Sequence, residues 1–332
     1  MSGRQALSFA QAMRAAMAQE LERDASVFAY GEGINDPAGF FGTTVGLRDR
    51  FGDDRCFDVP NCEESLVGFG LGAALGGLRP VFVNLRMEFL LLAMNQLVNH
   101  VAKWGAMQGR NPAVPLTIRA MVGRGWGQGA QHSGSYAAML AHVPGLQVAV
   151  ASGPLEGAGL LVSAVRGDRP TLLIEPKAVF DDVAEVPDVI APVEIGRAFV
   201  RRPGEDFTLV AVGDAVGTCL QVAELLAGRG VAVEVIDACS FAPLDVHTIL
   251  ESVTKTGRIG VVDIGWASYG LAAEVARRLL EGPLVALRSP LLSWAPAGHA
   301  PAGCFAESRH YPSVQGIADD IAGAVDGRAG GR

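Results

Sequence analysis

The five cysteines, at 56, 62, 219, 239 and 304, form no CxxC pair and are odd in number, which argues against a disulfide framework or a zinc ribbon and reads as reduced, mostly core thiols. The six histidines show no HxxH or HExxH spacing, so the common zinc sites are missing too. Positive charge is scarce: 27 Lys and Arg against 35 Asp and Glu leave a net charge of −8. A nucleic-acid binder needs a basic face to neutralise phosphates, and this chain is a poor candidate. Long hydrophobic runs are also lacking. The most tempting one, Leu66–Leu78, is short and full of glycine, against the ~20 apolar residues that span a bilayer. The start, Met-Ser-Gly-Arg-Gln-Ala-Leu-Ser, has no charged-then-apolar targeting pattern. No repeat or low-complexity segment is present. These absences lead us to expect a soluble, cytoplasmic protein with neither nucleic acid nor membrane as partner.

What is present is a chain of 332 residues, 49% hydrophobic, with 42 glycines, enough for two domains of ordinary size. Ser8 is placed to cap an amphipathic helix carrying Phe9, Met13, Met17 and Leu21. After it come a strand at Val27–Tyr30, helices at Leu47–Phe51 and Glu64–Leu75, and a strand at Pro80–Leu85. A single long apolar helix is expected over Glu88–Gln108, then strands at Val114–Met121, Leu146–Ala151 and Thr171–Pro176, with helices at Ser135–Ala141 and Pro154–Val165. Continuous apolar strands alternating with helices indicate an α/β fold with a parallel sheet covered on both faces. The acidic, proline-marked stretch Ala178–Glu194 reads as a linker, dividing the chain into domains 1–185 and 195–326 with a frayed tail, 327–332. The second domain should have strands at Phe207–Gly213, Val231–Ala238, Arg258–Asp263 and Leu284–Ser289, and helices at Thr218–Gly228, Leu244–Thr254, Ser268–Leu280 and Ser313–Asp326.

Two glycine runs, Gly68-Phe-Gly70-Leu-Gly72 and Gly123-Arg-Gly125-Trp-Gly127-Gln-Gly129, approximate a dinucleotide fingerprint. The first lies within a helix and the second is followed by His132-Ser133, so neither has the required strand, turn and helix. Gly68, Gly72 and Gly76 share a helical face and suit close helix packing. Glu63-Glu64 opens a helix, where acids complement its partial positive charge; beside an apolar, glycine-rich helix such a carboxyl is also placed to be desolvated, with a raised pKa. His132 ends a loop whose alternate glycines allow close approach of a ligand or subunit. Arg86 follows a buried-looking strand at its carboxyl end, where α/β sheets bind ligands; Glu88, Glu64 or an anionic substrate could be its partner.

The segments Gly31-Glu32, Phe57-Asp-Val-Pro-Asn-Cys-Glu63, Gly72-Ala-Ala-Leu-Gly-Gly-Leu-Arg-Pro80, Asn95-Gln-Leu-Val-Asn99, Ala130-Gln-His-Ser133, His142-Val-Pro-Gly-Leu146 and Pro243-Leu-Asp-Val-His-Thr-Ile-Leu250 resemble the β subunit of the E1 component of 2-oxo acid dehydrogenase complexes, a relative of the C-terminal half of transketolase. The resemblance covers about residues 6–325. It implies a pyrimidine-binding domain followed by a smaller transketolase C-terminal domain. It carries the family's activating glutamate to Glu63, which would hydrogen-bond the aminopyrimidine of thiamine diphosphate. The ring stacking on that pyrimidine falls on Phe89, the active-site histidine on His132, and a second acidic position near the cofactor on Glu32. The diphosphate and Mg²⁺ would be held by an α subunit in an α2β2 tetramer, since none of Gly52-Asp53, Gly167-Asp168 and Gly213-Asp214 continues to Gly. The activity implied is decarboxylation of a 2-oxo acid, with the acyl unit passed to a lipoyl carrier, the E2 component.

The chain departs from that pattern in places. Glu64 stands where a small or apolar residue is usual, and Arg86-Met87 replaces a Phe- or Thr-containing segment; both suggest a polar or anionic substrate. A potassium ion held near Leu116, Ala164 and Val165 is also implied, but the stretch Ala164-Val-Arg-Gly-Asp-Arg169 departs from the family's pattern there, with no Asn after the Arg. Two other readings stay open: a transketolase-like subunit transferring a two-carbon ketol unit from a sugar phosphate, and a non-catalytic regulatory paralogue.

Overall fold

The computed structural model describes residues 3–109, 114–282 and 286–327. A strand, β1 (Arg4–Ser8), runs directly into α1 (Phe9–Arg23). Ser8 accepts a hydrogen bond from the Gln11 backbone N–H, and the Gln11 side chain accepts one from the Ser8 N–H. This reciprocal box satisfies two of the donors a helix start leaves free. The chain continues through β2 (Val27–Gly31), α2 (Leu47–Phe51), β3 (Cys56–Asp58), α3 (Glu63–Leu75) and β4 (Arg79–Asn84). A helical run ending in α4 (Trp104–Met107) leads to β5 (Thr117–Val122), α5 (Ala137–Ala141), β6 (Gln147–Val150), α6 (Pro154–Arg166) and β7 (Thr171–Pro176). Beyond lie β8 (Val183–Pro187), β9 (Phe199–Arg202), β10 (Phe207–Ala211), α7 (Ala215–Ala227), β11 (Val233–Asp237), β12 (Ser240–Ala242) and α8 (Val246–Thr256). The last elements are β13 (Ile259–Val262), α9 (Leu271–Glu281), β14 (Leu292–Trp294), α10 (Cys304–Glu307) and α11 (Val314–Val325).

The first sheet has the order β3-β2-β4-β5-β7-β6-β12, parallel except for β12. The second has the order β9-β11-β10-β13-β14, with only β9 antiparallel. Fold class is as expected: α/β with parallel sheets. Along β2, Val27 and Ala29 point into one core with Phe9, Met13 and Leu161, while Phe28 and Tyr30 point into the other with Val67, Leu97 and Ile118. That alternation is the period of a strand buried on both faces. The second core runs on without a break into the second sheet, taking in Phe207, Leu209 and Val261. No helix among the described residues is long and apolar enough to cross a membrane.

Several expectations need correction. The helical run at 88–108 is not one α-helix: it passes from a 3₁₀ turn at Phe89–Ala93 to a π turn at Gln96–Val101 before α4. The Ala102 N–H reaches back five residues to the Leu97 carbonyl. Apolar spacing cannot resolve such changes, because the three helices differ mainly in which carbonyl receives each N–H. The stretch 178–194 is not all irregular, since β8 pairs antiparallel with β1, Arg4 opposite Pro187 and Ser8 opposite Val183. The expected strand at Leu284–Ser289 begins on residues outside those described, and 286–289 are not strand; β14, between Pro290 and Pro296, pairs with β13 instead. Residues 328–332 of the expected frayed tail also lie outside the described residues. The small-residue face of α3 does not pack closely within the chain: a Cβ at Gly72 would meet nothing within 4 Å.

One buried ion pair locks neighbouring strands together. Arg119 on β5 donates from Nε to Glu175 Oε1 (2.5 Å) and from Nη2 to Oε2 (2.9 Å), both side chains being 0% exposed. Removing one partner would leave a buried charge uncompensated. Glu175→Ala should therefore lower stability in urea denaturation by about 3–5 kcal/mol, and replacing both residues by apolar ones of similar volume should recover most of the loss. A single variant as stable as the parent would show that the pair carries no such weight.

Candidate functional site

Topology selects where a site can form. From β2 the chain goes to β3 on one side and then to β4 on the other, which makes the carboxyl end of β2 a switch point, the usual ligand crevice of such sheets. Glu32 sits there. Gly31 has φ +149°, and a Cβ on it would collide with the Val83 carbonyl, so only glycine lets the strand end close on β4. The Glu32 N–H donates to that carbonyl at 3.1 Å. Its carboxyl is 3% exposed, and neither oxygen has a hydrogen-bond partner among the described residues. Burial raises its pKa, and the charge of Glu63 raises it further; the Leu85 N–H, nearby but outside full hydrogen-bonding geometry, opposes them.

Glu63 is the first residue of α3 and 6% exposed. Its neighbour Glu64 lies about 100° further round the helix, is exposed, and accepts a hydrogen bond from Gln96 Nε2 at 2.9 Å. The acidic pair of the sequence is thus split, one acid toward Glu32 and the other toward the outside of the helix. At the end of β4, Asn84 is fully buried; its Nδ2 donates to the Arg86 carbonyl at 2.5 Å and its Oδ1 has no partner among the described residues. Phe89 meets His132 edge to face, ring centroids 5.6 Å apart at 89°. His132 Nδ1 is buried with no partner among the described residues. Arg86 donates to the Leu85 carbonyl (3.0 Å) and to Gln128 Oε1 (3.3 Å). Of the partners the sequence offered it, Glu88 acts on it electrostatically and Glu64 is engaged elsewhere.

The glycine loop carrying His132 is held from the far end of the chain. Glu307 on α10, 1% exposed, accepts the backbone N–H groups of Gly125 (2.9 Å) and Gly127. The Gly303 N–H donates to the Gly127 carbonyl at 2.9 Å. Gly127 has φ +67°, and a Cβ there would run into the backbone of Gly303 and Cys304. Arg124 in the same loop pairs with Asp214 at 3.0 Å and covers the Tyr311 ring at 4.0 Å. Nothing in the sequence pointed to Glu307, because its partners are backbone groups some 180 positions away. Asn84 could have been found by the reasoning that found Arg86, as a polar residue at the carboxyl end of an apolar strand.

Of the positions implied for a potassium ion, Leu116 and Val165 have carbonyls that already accept hydrogen bonds. Arg79 Nη1 donates to the Val165 (2.9 Å) and Gly167 (2.8 Å) carbonyls, and Nη2 to Asp168 at 2.7 Å. The Leu116 carbonyl accepts the Thr171 N–H at 2.9 Å, and Ala164 is buried. No cluster of acids, histidines or cysteines able to hold a metal occurs among the described residues.

The carboxylate of Glu307 serves two loop N–H groups at once. Glu307→Ala should speed amide hydrogen exchange of a peptide spanning 123–134 by about tenfold or more while leaving a peptide from α1 unchanged. Equal exchange in variant and parent would show that the loop holds its shape without it.

The sequence family "Transketolase, pyrimidine binding domain" matches residues 5–181, and "Transketolase, C-terminal domain" matches 196–302. The chain is 36% identical over 279 residues to the mitochondrial pyruvate dehydrogenase E1 component subunit beta of Bos taurus, covering 82% of this chain and 77% of that one. It is 34% identical to the subunit of the same name from Staphylococcus epidermidis, covering 86% and 88%. Against the Rhizobium meliloti subunit identity is 35%, over 86% of this chain, which spans 62% of that protein's length. A solved structure titled "Split gene transketolase, inactive beta4 tetramer" shares the fold with a TM-score of 0.78 at 20% identity, covering 95% of this chain and 97% of that one. With both halves matched and such identity extending over most of its length, the chain belongs to the transketolase-like family of pyruvate dehydrogenase E1 β subunits.

Proposed function

We propose that this chain is the pyrimidine-binding β subunit of a thiamine diphosphate-dependent 2-oxo acid dehydrogenase, with residues 1–185 and 195–326 as its two domains. The observation that carries the reading is the pair of buried acids, Glu32 and Glu63, gathered at the switch point of the first sheet. Two orphaned carboxyl oxygens on Glu32 and a buried, unpartnered Nδ1 on His132 are the kind of groups a nitrogen-rich heterocycle would satisfy. When bound, thiamine diphosphate supplies the electron sink for decarboxylation.

Glu63 is the residue to share a proton with the aminopyrimidine ring, and Phe89 offers the ring face against it. Burial and the charge of Glu63 raise the pKa of Glu32, so the two acids resist carrying charge together. His132, fixed by the glycine loop and by contact with Phe89, orients or protonates the substrate. Arg86 lines the same strand end; Glu64, facing Gln96, is left to the rim.

The diphosphate and Mg²⁺ fall to an α subunit in an α2β2 assembly. Each Gly-Asp pair of this chain is committed to an arginine: Asp53 to Arg48, Asp168 to Arg79 and Asp214 to Arg124. A lipoyl-bearing E2 component is the acceptor we propose. The cysteines of the described residues, all free and two of them exposed, suit a reducing cytoplasm. Arg86 favours one second reading, ketol transfer from a sugar phosphate.

Titration of thiamine diphosphate into the chain coexpressed with its α partner tests the assignment. The parent should bind the cofactor and decarboxylate a 2-oxo acid with an artificial electron acceptor, while Glu63→Gln binds but turns over about 100-fold or more slowly. Full activity in Glu63→Gln would remove the glutamate from its role, and tight binding by the isolated chain would remove the need for a partner. Glu32 gives an independent pH test. Its raised pKa means that, just above its ordinary value, the folded chain keeps a proton that the unfolded chain has lost. Its contribution to stability therefore falls as pH rises through that window and stays low above it. Glu32→Gln should then be more stable than the parent at neutral pH without cofactor, with the gain fading as pH drops to the ordinary carboxylate range. A gain independent of pH would contradict the burial of a titrating carboxyl.

A further inference from the structure

Arg86 is a half-buried cation with little to satisfy it. Its Nε is buried without a partner among the described residues, and its guanidinium lies 5.3 Å from the centre of the Phe41 ring. The acid nearest in effect, Glu88, spends Oε1 on the Gly134 N–H (2.6 Å) and is pushed toward its protonated form by burial. The Phe41 ring abuts Trp126 at 5.1 Å, and Trp126 is covered by Lys177 at 3.9 Å. Lys177 is 6% exposed, and burial lowers its pKa, with Asp181 opposing. Two cations thus flank one aromatic pair, and among the described residues neither forms an ion pair with a carboxylate. Holding charge out of water without a counter-ion is costly. In a chain of net charge −8, where twelve other arginines among the described residues have carboxylate partners, this calls for an anion from outside.

That anion is not the carboxylate a 2-oxo acid loses. A guanidinium clamped on it would stabilise the ground state more than the departing, neutral CO₂, and so slow the step. We propose that Arg86, steadied by Gln128, is the specificity-determining residue of the site, and that the donor carries a second anionic group remote from its oxo carbon. This rests on the function proposed above and narrows it: pyruvate, in the names of the relatives, has a methyl group where such a charge would stand. The anionic group can be the far carboxylate of a dicarboxylic 2-oxo acid or the phosphate of a ketose phosphate.

The test uses the chain in complex with its α partner, loaded with thiamine diphosphate and Mg²⁺. kcat/KM is measured for pyruvate, for 2-oxoglutarate and, with an aldose acceptor, for xylulose 5-phosphate. The parent should prefer one anionic-tailed donor over pyruvate by about 10- to 100-fold, and which one it prefers separates the dicarboxylate from the phosphate. Arg86→Gln should lose that preference while its pyruvate rate stays within about threefold, and Arg86→Lys should restore part of it. Calorimetric titration with succinate and with inorganic phosphate should show binding to the parent that Arg86→Gln lacks. If Arg86→Gln fails to fold, the parent's donor preference and Gln128→Ala decide in its place. A parent that turns over pyruvate as well as either anionic donor overturns the inference and leaves the proposed function standing, as does equal loss for every donor in Arg86→Gln. A complex that binds no thiamine diphosphate and turns over no donor overturns both.

Discussion

Burial of the first sheet on both faces is the constraint from which the rest follows. Side chains of β2 and β4 alternate between two apolar cores, so neither face of these strands has room for polar chemistry. Backbone groups within the sheet are spent on the ladder. What remains for a ligand is the row of strand ends. There the strand order switches from β3 on one side of β2 to β4 on the other, and there the polar residues collect: Glu32, Glu63, Asn84, Arg86. Their environment is the margin of an apolar core, so their charges are poorly screened and weigh on one another. The mutual effect of Glu32 and Glu63 arises in this way.

The second sheet serves the site at a distance. It shares an apolar core with the first, and beyond it the 302–311 segment grips the glycine loop through Glu307, Gly303 and Tyr311. A loop of alternating glycines has a high conformational entropy to lose, and on its own would hold His132 in no fixed place. The cost of ordering it is offset by contacts supplied from the other end of the chain. The same loop connects His132 to Gln128 and so to Arg86, and the groups that would read the substrate move or stay still together.

Much of this was legible in the sequence where the signal is local. Phe207–Gly213 and Pro80–Leu85 read as strands buried on both faces because apolar residues dominate both. Glu63, Phe89 and His132 were singled out through motifs. The losses are equally physical. β1 and β8 form a partly exposed ribbon whose members are each too short to show a period. β12 is three residues long and is a strand only because β6 lies beside it. Glu64 was set apart from Glu63 by the family resemblance, but where its carboxyl points, out toward Gln96, depends on the turn of the helix. Glu307 could not be found at all, since it acts on backbone groups that carry no identity in the sequence.

The placement of β12 has a consequence for synthesis. The edge of the first sheet at β6 is covered by Ser240–Ala242, which the ribosome delivers well after β7 is complete. At about 5–20 residues per second the nascent chain waits several seconds with an open strand edge. Such an edge is a template for pairing with other chains. Translation of this protein therefore passes through an interval in which a chaperone, or its own neighbouring elements, must shield β6 until the later strand arrives.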